Sequence, residues 1–321
     1  MYALVLFEAE QTFLSRLEAA LAGITVVHAK NAAIDPHIIQ NTEIIFGNPE
    51  PKTLGAYKAL KWIQLQSAGT EGYDRAALGA ETTVTNATGA YGHAIAEHIV
   101  ACVFSLYKRL HQYRDEQNKG RWMPRGTVKS IKGSLVLVVG LGNIGGEFAQ
   151  RMKALGSSVI GVRRIGVDKP DFVDELVLIN RLDEVLPRAD IVALCLPGTS
   201  GTKGLFNRER LALMKRGAVL VNIGRGSAVD TDALCDSLES GALGGAALDV
   251  TDPEPLPLGH KLWRIENVII TPHVSGGFSL RETYEAILSI CIENAVRYKA
   301  GKPLMNTVDL ETGYRTGSTS F

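Results

Sequence analysis

The sequence predicts an α/β chain built as two successive units, and three observations carry that reading. Short apolar or β-branched runs alternate with helix-compatible stretches in both halves, the pattern of a mostly parallel sheet. The alternation gives way to a long helical segment and starts afresh after a polar stretch, so a single sheet does not account for the whole chain. The 33 glycines among 321 residues exceed the usual share of roughly 7%, and many fall in short apolar segments where a backbone must turn tightly.

In the first half, residues 2–7, 25–28, 43–46, 62–66 and 83–86 read as strands and 10–22 as a helix. Residues 94–117 contain neither Gly nor Pro and predict one long helix crossing from the first unit into the second. After the polar stretch 120–132, the segments 135–139, 158–162, 191–196, 218–222, 244–249 and 268–271 read as buried parallel strands, because their apolar runs are continuous rather than alternating. Residues 147–155 read as a helix, as do 231–240, with Asp230 placed as N-cap and Gly241 just past the end. A last helix, 280–299, leads into an apolar, turn-forming segment at 303–309 that is expected to return to the first unit. The expected organisation is a substrate unit at 1–97 and 284–311, a cofactor unit at 98–283, and a disordered polar tail at 312–321.

Composition narrows the function. Thirty-four Lys+Arg balance thirty-four Asp+Glu, so no overall field attracts nucleic acid or an anionic membrane. Cys102, Cys195, Cys235 and Cys291 lie far apart among apolar residues without a C-x-x-C, which predicts reduced, buried thiols. The cysteines and histidines are scattered, so no metal site is expected. Residues 1–7 are apolar but short, carry no basic leader and run at once into Glu8 and Glu10. No apolar run approaches the roughly 20 residues of a membrane span. The expectation is a soluble cytoplasmic protein.

Gly140-Leu141-Gly142-Asn143-Ile144-Gly145 is a G-x-G-x-x-G motif between a predicted strand and a predicted helix. A tight turn alone uses the same letters, but this position favours a dinucleotide. The first glycine allows the turn, the second lets the backbone approach a pyrophosphate, and the third lets helix and strand pack closely. The helix N-terminus offers free N–H groups to the phosphates. The next predicted strand ends at Arg163 and Arg164, where an acidic residue grips the ribose hydroxyls in NAD-binding chains. Guanidinium groups bind a 2′-phosphate by paired, charge-assisted hydrogen bonds, so the expected cofactor is NADP(H), with NAD(H) also admitted. The alternative is two surface arginines that solvate a strand end.

Three segments at predicted strand ends, 222–226, 249–255 and 271–277, carry polar residues that a core would not select. Ligands of open parallel sheets bind at the carboxyl ends of the strands, so all three are expected on one rim beside the glycine loop.

Taken together, these motifs resemble the D-specific 2-hydroxyacid dehydrogenases over nearly the whole length. Besides the glycine loop, the resemblance rests on Asn86-Ala87-Thr88-Gly89 with Ala96-Glu97-His98, on Leu196-Pro197-Gly198-Thr199, on residues 221–226 and 247–255, and on Thr271-Pro272-His273. It implies a Rossmann dinucleotide-binding domain inserted into a smaller flavodoxin-like α/β substrate domain, with a cleft that closes on the substrate, and a homodimer. It also implies roles. Arg225 holds the substrate carboxylate and polarises its carbonyl, His273 donates the proton, and Glu254 pairs with His273. Asp249 meets the nicotinamide amide, the backbone at Cys195, Leu196 and Ile223 lines the nicotinamide, and Pro197, Thr202, Gly224 and Gly276 complete the cofactor set. Ala68 and Gly69 offer backbone amides to the substrate carboxylate. The chemistry is coherent on its own terms: hydride arrival builds charge on a carbonyl oxygen, which calls for a cationic donor and an acid of near-neutral pKa.

The implied activity is reduction of a small 2-oxo acid, such as glyoxylate or hydroxypyruvate, to a D-2-hydroxy acid. Two other readings stay open. A formate dehydrogenase shares the fold, but carries glutamine where Glu254 stands. A dinucleotide-sensing regulator, like the related corepressors, binds without turnover. His98 reads as structural rather than as a second acid, and Tyr91 and Trp122 as candidates for shaping the pocket.

Overall fold

The computed structural model describes residues 1–29, 34–74, 78–79, 81–166, 168–277, 280–311 and 316. The chain divides into two compact units, Met1–Tyr91 with Phe278–Ser320, and Gly92–Gly277. Both divisions fall six residues before the boundaries expected from sequence, because the helix beginning at Gly92 belongs wholly to the second unit and the helix beginning at Arg281 wholly to the first. The expected tail at 312–321 lies outside the described residues except for Thr316.

The first unit contains β1 (Tyr2–Val5), α1 (Gln11–Ala20), β2 (Thr25–His28), α2 (Pro36–Gln40), β3 (Thr42–Phe46), β4 (Trp62–Gln64) and β5 (Thr83–Thr85). The strands pair in parallel in the order β2-β1-β3-β4-β5, the flavodoxin-like order. Its core gathers Ile45, Ile63, Leu65 and Val84. The segment after the last helix returns to this sheet: Val308 donates its amide to Val84 O at 2.9 Å, and Thr307 bridges Thr85 in the antiparallel sense.

The second unit opens with α3 (Gly92–Lys108) and α4 (Leu110–Asn118). Where one long helix was expected there are two, broken at Arg109, whose φ is +58°. The break is held by tertiary bonds: the Arg109 guanidinium donates to Thr127 O at 2.9 Å and to Gln112 Oε1 at 3.0 Å. Then follow β6 (Leu135–Val139), α5 (Asn143–Ala154), β7 (Ser158–Arg163), β8 (Glu175–Leu178), α6 (Leu182–Val185), β9 (Ile191–Leu194), α7 (Arg208–Leu213), β10 (Val219–Asn222), α8 (Thr231–Glu239), β11 (Gly245–Leu248) and β12 (Val268–Ile270). α9 (Arg281–Lys299) belongs to the first unit.

All seven strands of this sheet run parallel in the order β12-β11-β10-β9-β6-β7-β8, a Rossmann arrangement whose direction of winding reverses between β6 and β9. β6 is buried from Val136 onwards, as a central strand covered on both faces must be. α5 lays Phe148, Ala149 and Met152 on the sheet, all without exposure. Truncating Phe148 to Ala would cost about 3–5 kcal/mol. α8 starts where Asp230 accepts the Ala233 amide at 3.0 Å. Among the described residues, no helix is long and apolar enough to cross a membrane.

Candidate active site

The parallel order brings the carboxyl ends of β6, β9, β10, β11 and β12 to one rim of the second unit. The G-x-G-x-x-G loop turns there from β6 into α5. An added Cβ at Gly145 would lie 2.2 Å from Gly140 O, so only glycine lets the helix start this close to the turn. At Gly142 an added Cβ meets nothing within 4 Å. Gly142 is the N-cap of α5 and gives no side-chain cap. An uncapped helix N-terminus beside open space suits a pyrophosphate, with Gly142, Asn143 and Ile144 supplying the first amides. The neighbouring strand β7 ends at Arg163, and the amides of Gly140 and Leu141 both donate to Val162 O, at 3.1 and 3.2 Å. Desolvation of Arg163 lowers the pKa of its guanidinium.

After β9 and β10, loop backbones pack directly together. Gly140 lies against Cys195 and Leu196, and Gly224 against the Leu196 backbone. Burial pushes the Cys195 thiol up to about 12, so it remains a neutral neighbour of the cofactor loop. Thr202 is buried and uses its hydroxyl within its own loop, donating to Pro197 O at 2.7 Å and accepting the Thr199 amide at 3.0 Å. Its side chain therefore shapes the 197–199 segment instead of reaching outwards. Ile223 is buried at 7% exposure.

Arg225 stands three residues beyond β10. Asn222, 1% exposed, sets its turn by donating to Arg225 O at 2.9 Å and accepting the Gly224 amide at 3.1 Å. The Arg225 guanidinium donates to Gly224 O at 2.7 Å. A Cβ at Gly226 would fall 1.9 Å from Thr251 O. The loop of Arg225 is thus pressed against the loop that carries Glu254, and glycine is required at the contact.

His273 stands three residues beyond β12, and its Nδ1 lies 2.7 Å from Glu254 Oε1. Both side chains are about half exposed, at 48% and 42%. The pairing engages Nδ1 and leaves Nε2 as the other ring nitrogen. His273 has φ +53°, a left-handed conformation uncommon outside glycine. Its amide is divided between Asp249 O at 2.9 Å and Thr271 O at 3.0 Å, and these bonds hold the conformation.

Asp249, just past β11, is 3% exposed and accepts four donors. Oδ1 takes the Thr271 hydroxyl at 2.6 Å and the Val274 amide at 3.0 Å. Oδ2 takes the Ser275 amide at 3.1 Å and the Ser275 hydroxyl at 2.5 Å. A carboxylate has about four such sites, so the turn before Gly276 is built around this side chain. Asp249, the residue expected from the resemblance to meet the nicotinamide amide, thus also organises the turn of His273.

Ala68 and Gly69 follow β4 in the first unit, where four successive carbonyls are occupied. Gln66 O accepts the Tyr91 hydroxyl. Ser67 O accepts the Ala87 amide at 2.9 Å, Ala68 O accepts Asn86 Nδ2 at 2.8 Å, and Gly69 O accepts Ser67 Oγ at 2.8 Å. Asn48 adds a brace, accepting the Gln66 amide at 3.0 Å and donating to Ser67 Oγ at 2.9 Å. The amides of Ala68 and Gly69 meet no acceptor among the described residues, so they are what this turn has left to offer. Asn86 and Asn222 stood in motifs singled out in the sequence, without their bracing roles being legible there, and Asn48 had no signal beyond its position near a strand end. Tyr91 is buried with its hydroxyl on Gln66 O, whereas Trp122 is wholly exposed. Among the described residues, no cluster of His, Cys, Asp or Glu is arranged to hold a metal.

A dinucleotide loop, an arginine and an imidazole–carboxylate pair on one sheet rim define a nicotinamide-dependent oxidoreductase. Residues 100–275 match the D-isomer specific 2-hydroxyacid dehydrogenase, NAD binding domain, and the chain belongs to that family, whose members use NAD or NADP. It is similar to a glycerate dehydrogenase of Methylorubrum extorquens, 31% identical over 83% of this chain and 85% of that one. It is also similar to the crystal structure of a D-isomer specific 2-hydroxyacid dehydrogenase family protein from Aeromonas salmonicida, with 30% identity, TM-score 0.85 and coverage of 96% and 99%. A D-isomer specific 2-hydroxyacid dehydrogenase from Xanthobacter autotrophicus, solved with NADPH and MES, matches with 30% identity, TM-score 0.80 and coverage of 97% and 99%.

Proposed function

We propose that this chain reduces a small 2-oxo acid of the glyoxylate or hydroxypyruvate class to its D-2-hydroxy acid, with NADPH preferred over NADH. The observation that carries the reading is the 2.7 Å His273–Glu254 pair on the rim that also presents Arg225. The bound dinucleotide supplies the hydride. Arg225 binds the substrate carboxylate through its planar fork and draws charge from the carbonyl. As charge builds on the carbonyl oxygen, His273 Nε2 delivers a proton to it, and Glu254 stabilises the imidazolium from which that proton comes. In the first unit, the amides of Ala68 and Gly69 are the second proposed element for the carboxylate. Gly140, Gly142, Asn143, Ile144 and Gly145 cradle the pyrophosphate, and Cys195, Leu196, Pro197, Ile223, Gly224 and Gly276 border the nicotinamide.

The cofactor preference rests on Arg163 and Arg164 at the end of β7, the ribose side of the glycine loop. The similar Xanthobacter enzyme was solved with NADPH, which agrees with it. A homodimer is also proposed. Leu110, Met123, Val128 and Trp122 are exposed apolar residues at and after α4, and such a strip suits a second copy of the chain. Light scattering tests this directly, and a monomer at micromolar concentration refutes it.

A panel of 2-oxo acids assayed with NADPH and NADH tests the reaction. Fast oxidation of NADPH with glyoxylate or hydroxypyruvate is the expected result. Tight dinucleotide binding without turnover of any 2-oxo acid overturns it in favour of a sensing role.

A further inference from the structure

α3 places His98 against the turn that carries His273, although 173 residues separate His98 from its partner Thr271. Thr271 Oγ1 is 2.6 Å from Asp249 Oδ1 and 3.2 Å from His98 Nε2. The direction of these bonds follows from proton counting. Asp249 already receives donors at both oxygens and has no proton to give, so the single Thr271 hydroxyl proton goes to the carboxylate. The Thr271 oxygen then accepts, and His98 must donate from Nε2–H. Glu97, the neighbour of His98, is engaged elsewhere, on His93 at 3.1 Å. Cys102 lies four residues further along α3, on the same face. Burial and then the Asp249 charge raise its thiol to about 11, so this face of α3 looks onto the carboxylate.

We infer that His98 and Thr271 are positioning residues for proton transfer: with Asp249 they form a hydrogen-bonded chain that fixes the 271–275 turn and, through it, the imidazole of His273. The inference rests on the reading of His273 as the proton donor. Asp249 is the hub, because its main-chain carbonyl holds the His273 amide at 2.9 Å while its carboxylate holds the next two amides. Loss of His98 leaves the Thr271 oxygen without its donor and frees the hydroxyl to rotate. Asp249 then loses a fixed partner on the side of the turn that orients His273.

The test is a double-mutant cycle on the full chain, with glyoxylate and NADPH as probes. His98→Leu is expected to lower kcat about five- to tenfold, the effect of losing one hydrogen bond within a buried network, while the Kd for NADPH stays within about twofold. His98→Gln, which keeps a side-chain N–H, is expected to restore at least half of kcat. Thr271→Val is expected to match or exceed the His98→Leu loss, and the double variant to be no slower than Thr271→Val alone, because both changes cut one chain. Wild-type kcat in His98→Leu, losses that multiply in the double variant, or NADPH affinity falling in step with kcat would each overturn the inference. If the wild-type chain reduces no 2-oxo acid, the reaction proposed above fails, and the chain of bonds is read instead from the 15N resonances of the His273 ring in ligand-free protein. Those resonances are expected to move in His98→Leu and Thr271→Val and to return in His98→Gln; unmoved resonances refute the inference.

Discussion

The turn after β4 and the turn after β12 both end parallel strands, yet they are wired with opposite polarity. At residues 66–69, donors from Tyr91, Ala87, Asn86 and Ser67 occupy the carbonyls, so the amides are what the turn offers. At residues 273–275, acceptors on Asp249 occupy the amides, so a side chain, His273, is what the turn offers. The same backbone thus presents amides in one unit and a side chain in the other, the two elements proposed above to receive an anion and to donate a proton. Donor neighbours at the first turn and the Asp249 acceptors at the second set which.

The sharpest way to break this comparison is to remove the mounted group. His273→Asn is expected to lower kcat for 2-oxo acid reduction by about 10²–10⁴, the range for loss of a general acid, with NADPH affinity retained. Turnover within tenfold of wild type would assign the proton to another residue. A smaller effect is expected at the guanidinium pair. Arg163→Asp with Arg164→Ser should cut the NADPH/NADH ratio of kcat/KM by about 10²-fold, since charge-assisted bonds to a 2′-phosphate are replaced by repulsion. An unchanged ratio would leave these arginines as strand-end solvation.

The proposed anion receptor is tested by Asn86→Leu, which strips the donor from Ala68 O. The expected result is a rise in KM for the 2-oxo acid of about tenfold, from one unsatisfied carbonyl loosening the turn, with kcat changed less. A fall in kcat at constant KM would mean that the turn does not bind substrate. The smallest effect sharpens the comparison away from the rim. Asp174 also holds a strand amide, that of Val159 at 2.8 Å, together with Lys153 Nζ at 2.6 Å. Its pKa is lowered first by the Lys153 hydrogen bond and then by the Val159 amide. A depressed folded pKa stabilises above the ordinary carboxylate range and is lost as pH falls through it. The Tm gap between wild type and Asp174→Asn is therefore expected to be small near neutrality and to close below about pH 4, with activity unaffected. A gap that widens on acidification would reverse the assignment.

Legibility in the sequence tracked the range of the forces involved. β6 and its glycine loop were plain because a continuous apolar run meets glycines within six residues. The break at Arg109 was hidden, because no Gly or Pro marks it and the left-handed residue is stabilised by Thr127 and Gln112. β8 was missed because it is a four-residue, half-buried edge strand without alternation. At the site, Arg225, Glu254 and His273 were legible through motifs, and the structure brings Glu254 to His273. The four bonds on Asp249 and the reach of His98 to Thr271 depend on strands β11 and β12 lying beside each other and on α3 covering them. No local pattern encodes such a meeting.

The positive φ of His273 has a practical meaning for any site-saturation library at that codon. Expression should follow left-handed tolerance, with Gly, Asn and Asp recovered in good yield and Val and Ile depleted, while catalysis follows proton donation alone. The two rankings would be uncorrelated, so a screen that scored only colony fluorescence or solubility would enrich well-folded, inert clones.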